Sequence, residues 1–422
     1  MRQLFLLLIT TLQLLAYDAT IEIVKQIDKK PHITVADSTT APVNAIMKKK
    51  FLKLLIGDLK VTTHFNVSDS YATLSYKSND GLAQLAKEGA ELVVKTKIEK
   101  DPTGKLIVSA KLLNAKNMTP LYEKFYTISK ADRYPFLAHR VAIDINDFTG
   151  APPVNWMKKY VIFARYTRPG KSDIMVSDYT LTFKKKIVTG GLNLFPKWAN
   201  KAQDAFYYTS FNPANPTLYR VDIYTGVKRK IASSPGMMVC SDVSEDGRKL
   251  LVTMAPNDQP DIYLLDVATG AKKRITRYKG IDVSGNFVDH DQNMVFISER
   301  LGYPNIFAKP LSGGSVEQMV YHGKNNSSCS TFGKYIVYSS REKFSSFGNS
   351  TFNLYLISTQ TDYIRKLTTS GKNLFPRFGE DGETILFIKY IDGKSALGVL
   401  RLNANKSFLF PLRAGRIQSI DW

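Results

Sequence analysis

The chain has 422 residues, 44% of them hydrophobic and 23% charged, a balance that excludes wholesale disorder and leaves room for two or three domains, each with its own core. Its 58 basic and 37 acidic side chains give a formal charge of +21, which points to an anionic environment or partner unless the lysines merely solvate the surface.

The first residues, MRQLFLLLITTLQLLAYDA, combine a short basic end, an apolar run and the small Ala16. They read as a secretory leader spanning residues 1–16, with an uncleaved membrane anchor as the alternative. No later run approaches the ~20 apolar residues of a membrane span. Residues 17–25 alternate polar and apolar side chains and suit either a strand or a flexible arm, and HITVADS is a better strand candidate. In APVNAIMKKKFLKLLIGDL the spacing puts Ile46, Phe51, Leu54 and Leu55 on one helical side, with Lys48, Lys49 and Lys53 opposite. Asp80 is placed to cap a second helix, GLAQLAKEGA. Three strands follow, ELVVKTKIEK, KLIVSAKLLNAK and LYEKFYTIS, the first two joined through a turn at residues 101–104. A last helix, RYPFLAHRVAIDINDF, carries a stripe of Leu137, Val141, Ile145 and Phe148. These elements make residues 17–148 an α+β domain, and the Gly- and Pro-containing residues 149–159 a linker out of it.

Beyond the linker the sequence repeats. Leu218-Tyr219 recurs as Ile262-Tyr263, Gly226 as Gly270 and Lys228 as Lys272, each 44 positions on. A period of this length built from short runs reads as a four-stranded propeller blade. Inner-strand markers fall at Trp198, Val243, Phe287, Cys329, Phe378 and Trp422, and no inner strand is legible one step before Trp198. The C-terminal RIQSIDW is therefore expected to complete the blade opened by YVIFARYT. The predicted architecture is an N-terminal α+β domain followed by a six-bladed all-β propeller at residues 160–422, closed by the C-terminal strand. Inner strands are expected to be apolar throughout. Cys240 and Cys329 fall on inner strands of the third and fifth blades, too far apart for a disulfide, and are expected to be free and buried.

Outer strands carry basic runs at Lys184, Lys228 and Lys272, again 44 apart. Lysines that block edge-to-edge pairing are the bland explanation, and a rim touching an anionic surface is the other. Residues at the start of each inner strand should line the mouth of the central channel: Leu192, Asn193, Met237, Met238, Val239, Asp282, Val283, Asn325, Asn326, Lys372 and Asn373. Their mixture of asparagines with apolar residues such as Met237 and Met238 suits a protein-docking rim. Enzymatic readings find little support. The five histidines are scattered without metal-site spacing, and there is no GxSxG elbow. Residues 289–293, DHDQN, suit a hairpin turn better than a calcium loop. No catalytic residue, metal or cofactor is expected, and nucleic-acid binding lacks an aromatic-basic platform.

SDVSEDGRKLLVTMAPNDQPDIYLLDVATGAKKRIT, PRFGEDGETILFIKY and SDIMVSDY, together with the domain order and the terminal Trp422, resemble the TolB family, periplasmic components of the Tol-Pal system of Gram-negative bacteria. The resemblance implies a non-enzymatic periplasmic adaptor, monomeric when alone, that supports outer-membrane integrity and cell division. It implies that the mouth residues above receive a peptidoglycan-associated lipoprotein. It also implies that the N-terminal segment, Tyr17, Asp18, Thr20, Ile21, Glu22, Ile23, Val24 and Lys25, engages a TolA-like inner-membrane protein. A secreted carbohydrate-binding or hydrolysing propeller is the alternative, and it calls for acidic pairs and aromatics at the mouth.

Overall fold

The structure, a computed structural model, describes residues 30–212, 214–342 and 350–422. The leader and the arm at residues 17–25 lie outside the described residues.

The first layer is a mixed sheet with its two long helices packed on one face and a short third helix on the other. β1 (His32–Asp37) pairs in parallel with the short β2 (Asn66–Val67) and β3 (Ala72–Thr73) and with β4 (Leu92–Lys100). β4 continues antiparallel into β5 (Leu106–Asn114) and β6 (Pro120–Ile128). The turn at residues 101–104 closes as expected, with the Gly104 amide donating to the Asp101 carbonyl at 2.9 Å. α1 (Ala45–Thr62) starts where Asn44 accepts the Met47 amide at 2.9 Å, a side-chain cap worth about 1 kcal/mol. It buries Phe51, Leu52, Leu55, Ile56 and Leu59. Ile46 is not on this stripe and is 67% exposed. At 100° per residue, a position five before Phe51 falls on the far side, and Met47, four before, packs against the core instead. α2 (Leu82–Lys87) is preceded by Gly81 in the left-handed region, with no side-chain cap. Asp80 instead accepts from the Ser78 hydroxyl at 2.8 Å. α3 (Tyr134–Phe148) buries Leu137, Val141 and Ile145, whereas its last residue, Phe148, is 48% exposed and lies against Tyr122.

Among the described residues the remaining strands form six antiparallel four-stranded meanders. Blade 1 comprises β7 (Val161–Arg168), β8 (Lys171–Ser177), β9 (Lys184–Val188) and the terminal strand Arg416–Asp421, which pairs with β7 in the innermost position. Blades 2, 3 and 4 occupy residues 193–233, 238–274 and 282–318. Blades 5 and 6, at 324–366 and 372–411, touch through one parallel bridge, Phe352 with Lys372. The ring thus closes non-covalently. Burial of Ile417 and Ile420 on the terminal strand, at about 1.5–3 kcal/mol each, helps hold the two ends together. Trp422 caps the seam: its indole donates to the Phe378 carbonyl at 3.1 Å and its ring lies 5.6 Å from Trp156.

Inner strands are not apolar throughout. They read NLFPKW, MVCSDV, DVSGNFV, KNNSSCSTF, KNLFPRF and RIQSID, because one face lines the channel while the other packs between blades. The continuous apolar runs lie on the second strands, such as Lys249–Met254 and Thr384–Ile391, which are covered on both faces. Both cysteines are free and buried, and burial raises both thiols, Cys329 to about 12.

The layer and the ring meet at a buried polar cluster. His139 of α3 bridges Asp58 of α1, Nδ1 to Oδ2 2.8 Å, and Asp178 of blade 1, Nε2 to Oδ2 3.3 Å. Tyr179 donates to the other Asp58 oxygen, and the Phe183 amide donates to Asp178 at 2.6 Å. Burial alone would lower the pKa of His139, but the carboxylate of Asp58 and the hydrogen bonds to Asp178 and Asp58 outweigh it and lift the imidazole to about 9. Residues 154–157, inside the expected linker, are likewise committed: Val154, Trp156 and Met157 are buried with Val61, Ile143 and Ile420.

Candidate docking mouth and channel

Each inner strand carries a bulge near its middle, and four of the six equivalent bulge residues, Phe195, Ser284, Ser328 and Phe375, have φ between 42° and 56°. The extra residue turns the strand, so that backbone amides point sideways to the preceding blade. Phe195 and Phe375 amides donate to Ser419 and Ser328 hydroxyls, both at 3.1 Å. Further along, the Trp198, Phe287 and Phe378 amides donate to Asp421 (2.9 Å), Asp242 (2.8 Å) and Ser330 (3.1 Å). These links show that the fifth marker is Thr331, not Cys329. The residue stitched to the next blade precedes the marker by one, and the fifth blade has a shortened first turn.

Corrected in this way, the register brings one residue per blade to a common waist: Asp421, Lys197, Asp242, Asn286, Ser330 and Arg377. Lys197 lies 3.1 Å from both Asp242 and Asp421, and Arg377 lies 3.7 Å from Asp421. Burial disfavours the Lys197 ammonium, but the two facing carboxylates more than compensate and hold its pKa above the ordinary value. Two cations and two carboxylates therefore neutralise each other within the channel. Its four charged members each precede a marker that the sequence places correctly, and the set escapes a sequence reading that expects inner strands to be apolar throughout.

On the mouth side of the waist lies a cavity of about 180 Å³, lined by Met237, Val239, Val283, Phe195, Phe375 and Ile420, with both cysteines in its wall. On the other side a cavity of about 300 Å³ is bordered by Trp156, Trp198 and Trp422. Alternation along each strand divides the expected mouth residues. Leu192, Met237, Val239, Val283 and Asn325 are half-buried and Lys372 is exposed. Asn193, Met238, Asp282, Asn326 and Asn373 point the other way and are fully buried, so Met238 is not an exposed apolar residue and the asparagines are core residues. Their amides satisfy carbonyls of the preceding loop: Asn193 to Gly190 at 2.8 Å, Asn326 to His322 and Asn373 to Ser370, both at 3.0 Å. Asp282 instead accepts from Arg300 at 3.2 Å. Ile281, in register with Leu192 and Met237, is exposed at the rim and was not anticipated. Residues 289–293 form the first turn of blade 4, with the Asn293 amide donating to Asp289 at 2.7 Å.

The profile of the TolB beta propeller domain matches residues 151–422, and that of the TolB amino-terminal domain matches residues 19–121. The chain belongs to the TolB family. It is 49% identical over 424 residues to the Tol-Pal system protein TolB of Wolinella succinogenes, covering 100% of both chains. It is 41% identical to that of Helicobacter hepaticus, covering 99% of this chain and 98% of the relative. Among solved structures, the crystal structure of TolB from Acinetobacter baumannii superposes with a TM-score of 0.74 at 20% identity, covering 93% and 97% of the two chains, a likeness of fold. The TolB family is non-enzymatic, and the waist suits that: its charged groups are spent on one another and on backbone amides.

Proposed function

We propose that this chain is a non-enzymatic periplasmic adaptor of the Tol-Pal envelope system. The observation that carries the proposal is family membership along the whole chain, since relatives bearing the Tol-Pal name match it from end to end. In this reading the channel mouth receives a peptidoglycan-associated lipoprotein. The half-buried Met237, Val239 and Val283 supply a deformable apolar floor, with Asn325 and Lys372 at its polar edge. Residues 17–25 engage a TolA-like inner-membrane protein, and the adaptor thereby couples the outer membrane and peptidoglycan to the inner membrane during growth and division. The test is a pull-down from envelope extracts with the mature chain and with a form lacking residues 17–25. The lipoprotein should be retained by both and the TolA-like protein only by the first. Retention of neither by the mature chain would sink the reading.

A further inference from the structure

The basic runs of the outer strands are not spread evenly around the ring. In blades 1, 2 and 3 the first three residues to pair after the last turn are Lys184, Lys185 and Lys186; Lys228, Arg229 and Lys230; and Lys272, Lys273 and Arg274. Their partners on the third strands, such as Ser177, Val221 and Leu265, are 44 positions apart, so the nine cations stand at equal heights on three adjacent blades. In blades 4, 5 and 6 the outer strands read Glu317-Gln318, Ile364-Arg365-Lys366 and Lys406-Ser407-Phe408. Lysines serving only to keep edge strands apart are needed on every blade. Nine cations on one half of the wall, against three cations and a carboxylate on the other, are not explained in that way.

Few of the nine are neutralised. Lys186 lies 3.7 Å from Asp173, which Arg165 already holds at 2.7 Å, and Arg274 pairs with Asp261. Among the described residues, Lys185, Arg229, Lys230 and Lys272 have no ion pair. A second observation concerns the middle of this array. The last turn of blade 2 carries Tyr224 and Val227, 78% and 66% exposed, immediately before Lys228. An exposed aromatic and an aliphatic side chain among cations form the combination that inserts at a headgroup boundary, where the apolar parts enter the interface while the ammonium groups stay with the phosphates.

We propose that the outer wall of blades 1–3 is a peripheral membrane-binding surface that docks on anionic phospholipid headgroups, with the Tyr224–Val227 turn at its centre. This inference stands apart from the adaptor reading, because it uses neither the channel mouth nor the N-terminal segment.

The test is co-sedimentation of the chain without its leader, residues 17–422, with vesicles of equal parts phosphatidylglycerol and phosphatidylcholine, and with phosphatidylcholine alone. Binding to the anionic vesicles only is expected, falling steeply as salt shortens the reach of the charges. Each cation near such a surface contributes about five-fold, so Lys185→Gln, Arg229→Gln, Lys230→Gln and Lys272→Gln together should weaken partitioning roughly 10²- to 10³-fold. Arg365→Gln, Lys366→Gln and Lys406→Gln on the opposite wall should leave it unchanged. Tyr224→Ser with Val227→Ser should lower binding several-fold while preserving the salt slope. The substituted side chains are exposed except Arg365, which is half-buried and donates to the Leu402 carbonyl at 3.1 Å, and unchanged melting profiles would confirm intact folding of both sets. Equal binding to both vesicle types, equal losses from the two walls, or retention on a heparin column without vesicle binding would each overturn the proposal.

Discussion

Replacing His139 with Gln removes a side chain that hydrogen-bonds from α3 to both α1 and blade 1. In the folded protein the imidazole is lifted to about 9 from an ordinary 6.5, so folding favours its charged form. Asp58 takes part of this back, because its own burial raises its pKa despite the facing histidine. Because folding raises the pKa of His139, its contribution is complete below about pH 6.5 and is lost as the pH rises through about 9. Breaking a buried pair costs about 3–5 kcal/mol. The low end applies here, since Asp178 keeps the Thr180 and Phe183 amides and Asp58 keeps the Tyr179 hydroxyl. Urea unfolding followed by tryptophan fluorescence suits the measurement, with Trp156 lying 5.1 Å from Tyr179. His139→Gln should be less stable than the parent by about 3 kcal/mol near pH 6, and the gap should shrink to about 1 kcal/mol near pH 10. A gap that stays constant between these pH values would refute the charged bridge and leave only a packing role.

Three further outcomes follow from the same structure. Deleting residues 416–422 removes the inner strand of blade 1 with its buried Ile417 and Ile420, so limited proteolysis should cut the truncated ring within minutes under conditions where the intact chain survives. Lys197→Met leaves the Asp242 and Asp421 carboxylates on the two blades flanking blade 2 without the ammonium between them and should cost about 3 kcal/mol by urea midpoint. Adding Asp242→Asn to Lys197→Met should recover part of that loss. Cys240 and Cys329 should resist an aromatic disulfide reagent at pH 8 and react fully in denaturant, since burial raises both thiols well above that pH.

The blade period was legible because the 44-residue spacing is carried by third-strand pairs such as Leu218-Tyr219 and by turn glycines such as Gly226 and Gly270, whose left-handed backbone leaves few alternatives. Closure by Arg416–Asp421 followed from counting alone. The channel surface was only half legible. A strand shows alternate residues to opposite sides, and a list of consecutive mouth residues necessarily mixes the two. Asn193, Asn326 and Asn373 look like surface residues in a sequence, yet each is buried because its amide closes a loop that would otherwise strand a carbonyl. Cys329 was an attractive marker because it is apolar, but the amide-to-Ser330 link places the true equivalent at Thr331. The meeting of His139 with Asp58 and Asp178 was beyond reach, since 81 and 39 positions separate partners that only the tertiary fold brings together.

The docking role of the channel mouth can be tested directly by introducing a photo-crosslinking residue at Met237 or at Val283, on the solvent side of the mouth, and at Ser407 on the outer wall of blade 6, followed by irradiation in living cells. Crosslinks to a peptidoglycan-associated lipoprotein from Met237 and Val283, and none from Ser407, are the predicted result. A lipoprotein crosslink confined to the outer wall, or mouth positions that capture no envelope protein, would contradict it.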